Sequence, residues 1–181
     1  MLKRFKRMVV GLDGSDHAQK ALEVAIELAR INKSSLVLVH ALNEAPLTPA
    51  ERELAETEFG MKDLGEKPPV TAVANTGEDP RLGFTATPVA ALHASLRART
   101  EMSQTVLDEI RQDLLQQGIE NIEFIIEIGE PADVVLAAAQ AKDADLIVIG
   151  SRGLSDLQGL VFGSTSHKVA HRAPCTCLTV S

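Results

Sequence analysis

Apolar and polar positions along this chain follow two alternating periods. Lys6 to Leu12 is a short, mostly apolar run broken by Asp13-Gly14-Ser15-Asp16, and it reads as a strand. From Ala18 to Ile31 the residues Ala18, Ala21, Leu22, Ala25, Leu28 and Ala29 recur at three- and four-residue spacing. That spacing predicts a helix, with Ser15 or Asp16 as its cap. Asn32-Lys33-Ser34 ends the helix, and Leu36 to Val39 is a second apolar run. Together they make a β-α-β unit whose strands both read as buried.

The C-terminal half repeats the theme. Ile122, Phe124, Ile126 and Ile128 alternate with Glu123, Ile125 and Glu127, as in a strand with one wetter face at a sheet edge. Gly129-Glu130-Pro131 leads into a helix from about 132 to 141, with Pro131 in its first turn. Leu146 to Ile149 is a fourth strand, a helix follows from about 164 to 171, and Cys175 to Val180 is a fifth strand beyond Pro174. Strands alternating with helices predict an α/β fold with a mainly parallel sheet.

The middle breaks the rhythm. Residues 44–94 hold six of the eight prolines. Thr48-Pro49-Ala50-Glu51 has capping-box spacing and predicts a short helix to about Phe59. Gly60 to Pro88 has no sustained period and reads as a long loop, which is uncommon inside a compact domain. Val89 to Gln117 resumes helical spacing through Leu92, Leu96, Val106, Ile110 and Leu114, and Gly118 ends it. The chain of 181 residues thus reads as one domain, 1–181, with a Pro/Gly-rich insertion at about 44–94.

Composition narrows the function classes. Hydrophobic residues make up 45% and Trp and Tyr are absent, so the core is aliphatic and lacks the stacking platforms of single-strand binders. A formal net charge of −7 argues against a broad nucleic-acid or anionic-membrane surface. The basic start Lys3, Arg4, Lys6, Arg7 reads as a solvated strand entry. The apolar stretch Met8-Val9-Val10 is too short for a signal-peptide core, and no run approaches the roughly 18 apolar residues of a membrane helix. The expectation is a cytoplasmic protein. Its two cysteines, Cys175 and Cys177, share a strand face and read as thiols in a reducing compartment with a core or interface role.

Candidate chemistry gathers after strands one and four. Ligands bind α/β sheets beyond the carboxyl ends of the strands, where the winding direction reverses. Strand one runs into Leu12-Asp13-Gly14-Ser15, and strand four into Gly150-Ser151-Arg152-Gly153, with Gly163-Ser164-Thr165 opening the next helix. If the two strands are neighbours, both loops face one crevice. Glycines let backbone amides approach a phosphate, and a helix start offers unpaired N–H groups. Ser164 and Thr165 add hydroxyls, and Asp13 suits ribose hydroxyls or Mg²⁺. Two plainer readings stay open here: a glycine-rich tight turn, and Asp13 as a helix cap. The spacing is neither Walker A nor the Rossmann pattern, and no Lys lies in the loop.

Gly150, Gly153, Gly163 and Ser164 fit the pattern Gly-x2-Gly-x9-Gly-Ser/Thr without a gap. With Val10-Gly11-Leu12-Asp13-Gly14-Ser15, Gly129-Glu130-Pro131-Ala132, Ala144 to Gly153 and Ala173-Pro174-Cys175, the chain resembles the ATP-binding branch of the universal stress protein family. The match covers roughly residues 5–43 and 95–180. The resemblance implies a single doubly wound five-stranded parallel sheet, order 3-2-1-4-5, with helices on both faces. It implies homodimers joined through the last strand, Cys175 to Val180. It implies ATP, with ADP or AMP as alternatives, held by Leu12, Asp13, Gly14, Ser15, Ala41, Gly150, Arg152, Gly153, Gly163, Ser164 and Thr165. Asp13 would contact ribose or Mg²⁺-bound phosphates, and Ala41, just after strand two, would meet adenine through its backbone. Gly150 would lie near ribose, with Arg152, Gly153, Gly163, Ser164 and Thr165 on the phosphates. The insertion is longer than the family's usual linker, and Cys177 replaces an aliphatic residue.

The sequence names no catalytic residue, because no general base pairs with a nucleophile. The leading expectation is an ATP-binding stress-response regulatory protein. The alternatives are a dimeric interaction protein independent of nucleotide, and a slow ATPase or autophosphorylating protein. His167 and His171 have the spacing of a metal pair but read as a solvated helix face, and His40 reads as a strand-end histidine.

Overall fold

The computed structural model describes residues 5–45, 47–62, 64, 87–153 and 163–181, with backbone only for 87–91. The chain divides into two compact units, Met1–Asn43 with Ser103–Ser181, and Glu44–Met102.

The first unit is built on five parallel strands: β1 (Arg7–Leu12), β2 (Ser35–Leu42), β3 (Ile122–Ile128), β4 (Leu146–Gly150) and β5 (Thr176–Val180). Their order is β3-β2-β1-β4-β5, as the resemblance implied, and β3 sits at an edge. Met8, Val10, Leu36, Leu38, Leu146 and Val148 project to one face, where α1 (Asp16–Asn32) and the C-terminal part of α3 (Thr87–Gln116) cover them. Val9, Val37, Val39, Ile147 and Ile149 project to the other, under α4 (Pro131–Ala141) and α5 (Ser164–Arg172). Alternation along each strand thus supplies apolar side chains to two separate cores, which is why the strands read as continuous apolar runs.

Three details differ from the sequence reading. Helix α1 buries Ile26 beside the expected Ala18, Ala21, Leu22, Ala25 and Ala29, while Leu28 is only partly covered. Strand β2 continues past Val39 to Leu42, pairing as far as Ile128 of β3. The apolar run stops at His40, yet the strand runs on, because Ala41 and Leu42 pair with Glu127 and Ile128 of β3, while His40 Nδ1 lies 2.9 Å from the Leu12 carbonyl. Ala41 is therefore inside β2 rather than after it. Of the expected loop from Gly60 to Pro88, Thr87 and Pro88 open α3, and most of the rest lies outside the described residues.

In the second unit, α2 (Pro49–Thr57) starts at the expected capping box, with Thr48 and Glu51 exchanging side-chain and backbone bonds. Leu47, Ala55, Leu64 and Ala98 form a small apolar cluster of its own, with Met61 and Met102 against it. Arg99, 9% exposed, grips Glu51 through Nε and Nη2, each at 3.0 Å, and also donates to the Ala45 carbonyl.

Candidate functional site

Strands β1 and β4 are neighbours, and the sheet reverses its winding between them. Their registered pairs are Met8↔Leu146, Val9↔Ile147 and Val10↔Val148. Pairing stops there, although β1 runs on to Leu12 and β4 to Gly150. The strands part because their chains leave toward opposite faces, and such a gap is the place where open α/β sheets in general take ligands.

The β1 loop is held by its own side chains. Ser15 is the N-cap of α1, its Oγ accepting from the Ala18 N–H at 3.2 Å. Asp13 Oδ1 accepts from the Ser15 N–H at 3.0 Å and from Ser15 Oγ at 2.6 Å. Asp13 is thus not the cap itself; it braces the cap and turns its second oxygen elsewhere. Gly14 has φ +80°, a backbone that glycine adopts without strain. Leu12 packs on the α1 core, and its carbonyl faces His40.

The β4 loop closes on these groups. A Cβ on Gly150 would stand 2.7 Å from the His17 carbonyl carbon and 2.8 Å from the Ala18 nitrogen, so this glycine lets the strand end touch the first turn of α1. A Cβ on Gly153 would stand 2.7 Å from Asp13 Oδ2. Ser15 Oγ is 3.3 Å from the Arg152 carbonyl, so it bridges the two loops. Arg152 Nε is buried and has no hydrogen-bond partner among the described residues.

Helix α5 begins at the same place. The Gly163 N–H donates to the Ser151 carbonyl at 2.7 Å, which ties the helix start to the end of β4. Gly163 is the N-cap and offers no side-chain bond, unlike the capped starts of α1, α2 and α4. Ser164 is exposed and Thr165 half-buried at this uncapped end. The Ser151 carbonyl therefore takes a donor from the start of α5, while Ser15 at the start of α1 stands 3.3 Å from the Arg152 carbonyl, and two helix N-termini converge on one loop. Such an end carries partial positive charge.

The structure thus brings Asp13, Ser15, Gly150, Arg152, Gly153 and Gly163 together around one loop. Ala41 lies on the neighbouring strand β2, one residue past the Leu12↔His40 pair, opposite Glu127 and half-buried toward the α4 face. Among the described residues no group of three or more His, Cys, Asp or Glu side chains could hold a metal. His167 and His171 are exposed on α5, where Lys168 pairs with Glu130 and Arg172 with Asp133. Cys175 and Cys177 form no disulfide and pack against the α4–α5 core. Burial, and then the neighbouring Cys175, push the Cys177 thiol above its ordinary value.

The sequence model of the Universal stress protein family matches residues 4–181. This chain belongs to the universal stress protein family. It is 29% identical over 179 residues to universal stress protein YxiE of Bacillus subtilis, covering 97% of this chain and 99% of that one. A Thermus aquaticus universal stress protein is 30% identical over 176 residues, with 97% and 98% covered. Among solved structures, universal stress protein UspA from Lactobacillus plantarum superposes with a TM-score of 0.67 at 21% identity, covering 99% of this chain and 100% of that chain. A universal stress protein solved in complex with cAMP gives a TM-score of 0.57 at 24% identity, with 99% of each covered. One from Archaeoglobus fulgidus in complex with dAMP gives 0.52 at 20%, covering 99% of this chain and 100% of that one.

Sequence reasoning passed over three residues that organise the site of this universal stress protein. Ser151, 3% exposed, donates its N–H to the Val180 carbonyl at 2.6 Å. Ser166, 2% exposed, donates to the Ser151 carbonyl at 2.7 Å. His17 Nδ1 stands 3.5 Å from Ser151 Oγ. The one available signal was polar residues at positions where apolar ones would pack.

Proposed function

We propose that this universal stress protein binds an adenine nucleotide, ATP first, beyond the ends of β1 and β4, and serves as a nucleotide-responsive regulatory module. The observation that carries the reading is the parted β1–β4 ends with two helix starts converging on the loop between them. Three features support the fit of a phosphate chain. Helix α5 has an uncapped N-terminus, Arg152 Nε lacks a partner among the described residues, and Gly153 leaves no side chain between backbone and Asp13. Similar folds solved with cAMP and dAMP support the adenine class.

In this reading Arg152, Gly153, Gly163, Ser164 and Thr165 hold phosphates. Asp13, braced by Ser15, offers Oδ2 to ribose hydroxyls or to Mg²⁺ carried by the phosphates. Leu12 and Gly14 shape the floor, Gly150 keeps β4 close to α1 beside ribose, and the Ala41 backbone meets adenine. The module works in the cytoplasm as a homodimer through Cys175 to Val180, since β5 is a sheet edge with half-buried Cys177 to Val180. In this reading its output is binding rather than turnover.

Thermal unfolding with ATP and Mg²⁺ tests this. A ligand bound only to the native state stabilises by about 2.7 kcal/mol at a hundredfold excess over Kd. The wild type should melt higher with ATP, and Asp13→Ala should lose most of the shift. An unchanged melting temperature at millimolar ATP would overturn the reading.

A further inference from the structure

We infer that Ser166 is the positioning residue for the phosphate-binding end of α5, acting through the Ser151 carbonyl. The inference rests on the nucleotide reading above. Ser166 is the third residue of α5 and is 2% exposed, whereas Ser164 is exposed and Thr165 half-buried. Ser164 therefore faces outward, Thr165 does so only in part, and Ser166 faces the protein. A buried hydroxyl without a partner is costly, so its partner matters.

That hydroxyl has one proton and two nearby acceptors, the Ser151 carbonyl at 2.7 Å and the Gly163 carbonyl at 3.0 Å. The Gly163 carbonyl already accepts the His167 N–H at 3.0 Å. The shorter contact takes the proton. The Ser151 carbonyl then has both lone pairs filled from one helix end, by Ser166 Oγ and by the Gly163 N–H at 2.7 Å.

Ser151 is itself fixed. Its N–H extends the β4–β5 ladder to the Val180 carbonyl, one step beyond the Gly150↔Val180 pair. The start of α5 is thus fastened, through the first loop residue Ser151, to the end of the sheet. Because Gly163 supplies no side-chain cap, this clamp sets where the first N–H groups point. Preorganised donors bind a phosphate without the ordering cost of a frayed helix end. Ser166 touches no nucleotide; it holds the groups that do.

The test is calorimetric binding of ATP and of adenosine to the full chain, as wild type, Ser166→Ala and Ser166→Cys. Losing one buried hydrogen bond should weaken ATP binding about five- to tenfold in Ser166→Ala. Adenosine, which lacks phosphates, should stay within about twofold on the same argument. Ser166→Cys is slightly larger but keeps the branching and a weak donor, and should fall between. A merely structural role would weaken both ligands alike, and that result overturns the inference, as does no change in either. If Ser166→Ala does not fold, the same split in Ser166→Cys decides. A wild type that binds neither ligand would remove the nucleotide reading itself. One that binds both equally would remove its phosphate arm.

Discussion

Two glycines of one motif do different work. A side chain at Gly150 would strike the backbone of His17 and Ala18, which cannot yield without shifting α1. Gly150→Ala should therefore destabilise the fold by roughly 1–3 kcal/mol, the usual cost of overpacking. A side chain at Gly153 would strike only the Asp13 carboxylate, which can swing aside at the expense of its bonds to Ser15. Gly153→Ala should change stability by less than about 1 kcal/mol, as for substitutions that relax easily, yet weaken ATP binding. Denaturant melts and ATP titrations of both variants separate the two roles, and equal loss of stability would contradict the distinction. The glycines were legible because their spacing fits a family motif alongside other matching stretches in the same order. Ser151 and Ser166 were not, because serine has many uses and the partners of these two are backbone carbonyls of other elements.

Element ends were legible where their chemistry is local. The Thr48–Glu51 capping box lies within four residues and fixed the start of α2. The ion pair from Arg99 to the same Glu51 spans 48 positions, and no local pattern announces it. Strand β2 was read short for a related reason, since Ala41 and Leu42 pair with Glu127 and Ile128 of β3, far along the chain. Burial alone would raise the Glu51 carboxyl, but bonds from Arg99 and from the Thr48 backbone outweigh it and hold the group below its ordinary 4.5. A carboxyl lowered in the folded state stabilises above its unfolded value and loses that contribution as pH falls through the folded one. The helix Pro49–Thr57 should therefore lose hydrogen-exchange protection as pH drops below 4.5. Glu51→Gln should show lower protection at neutral pH and a flatter acid response. An identical acid profile in both proteins would sink this account.

At the scale of the molecule, periodicity indicated strands and helices but not the sheet order. Crossover handedness limits the topologies, and the order 3-2-1-4-5 came from the resemblance. Only Gly60 to Pro88 had no sustained period to read, and residues 44–102 form a compact unit of their own. The candidate crevice was legible once β1 and β4 were neighbours, because open α/β sheets take ligands at strand ends where the winding reverses. The edge strand β5 carries the dimer prediction: sedimentation equilibrium should give the mass of two chains, and the mass of one chain at micromolar concentration would contradict it. The central claim is nucleotide capture, and equilibrium dialysis of the full chain against labelled ATP with Mg²⁺ measures it most directly. The account predicts saturable binding approaching one ATP per chain, displaced by unlabelled ATP. Retention no greater than that of free solution, up to millimolar ATP, would contradict it.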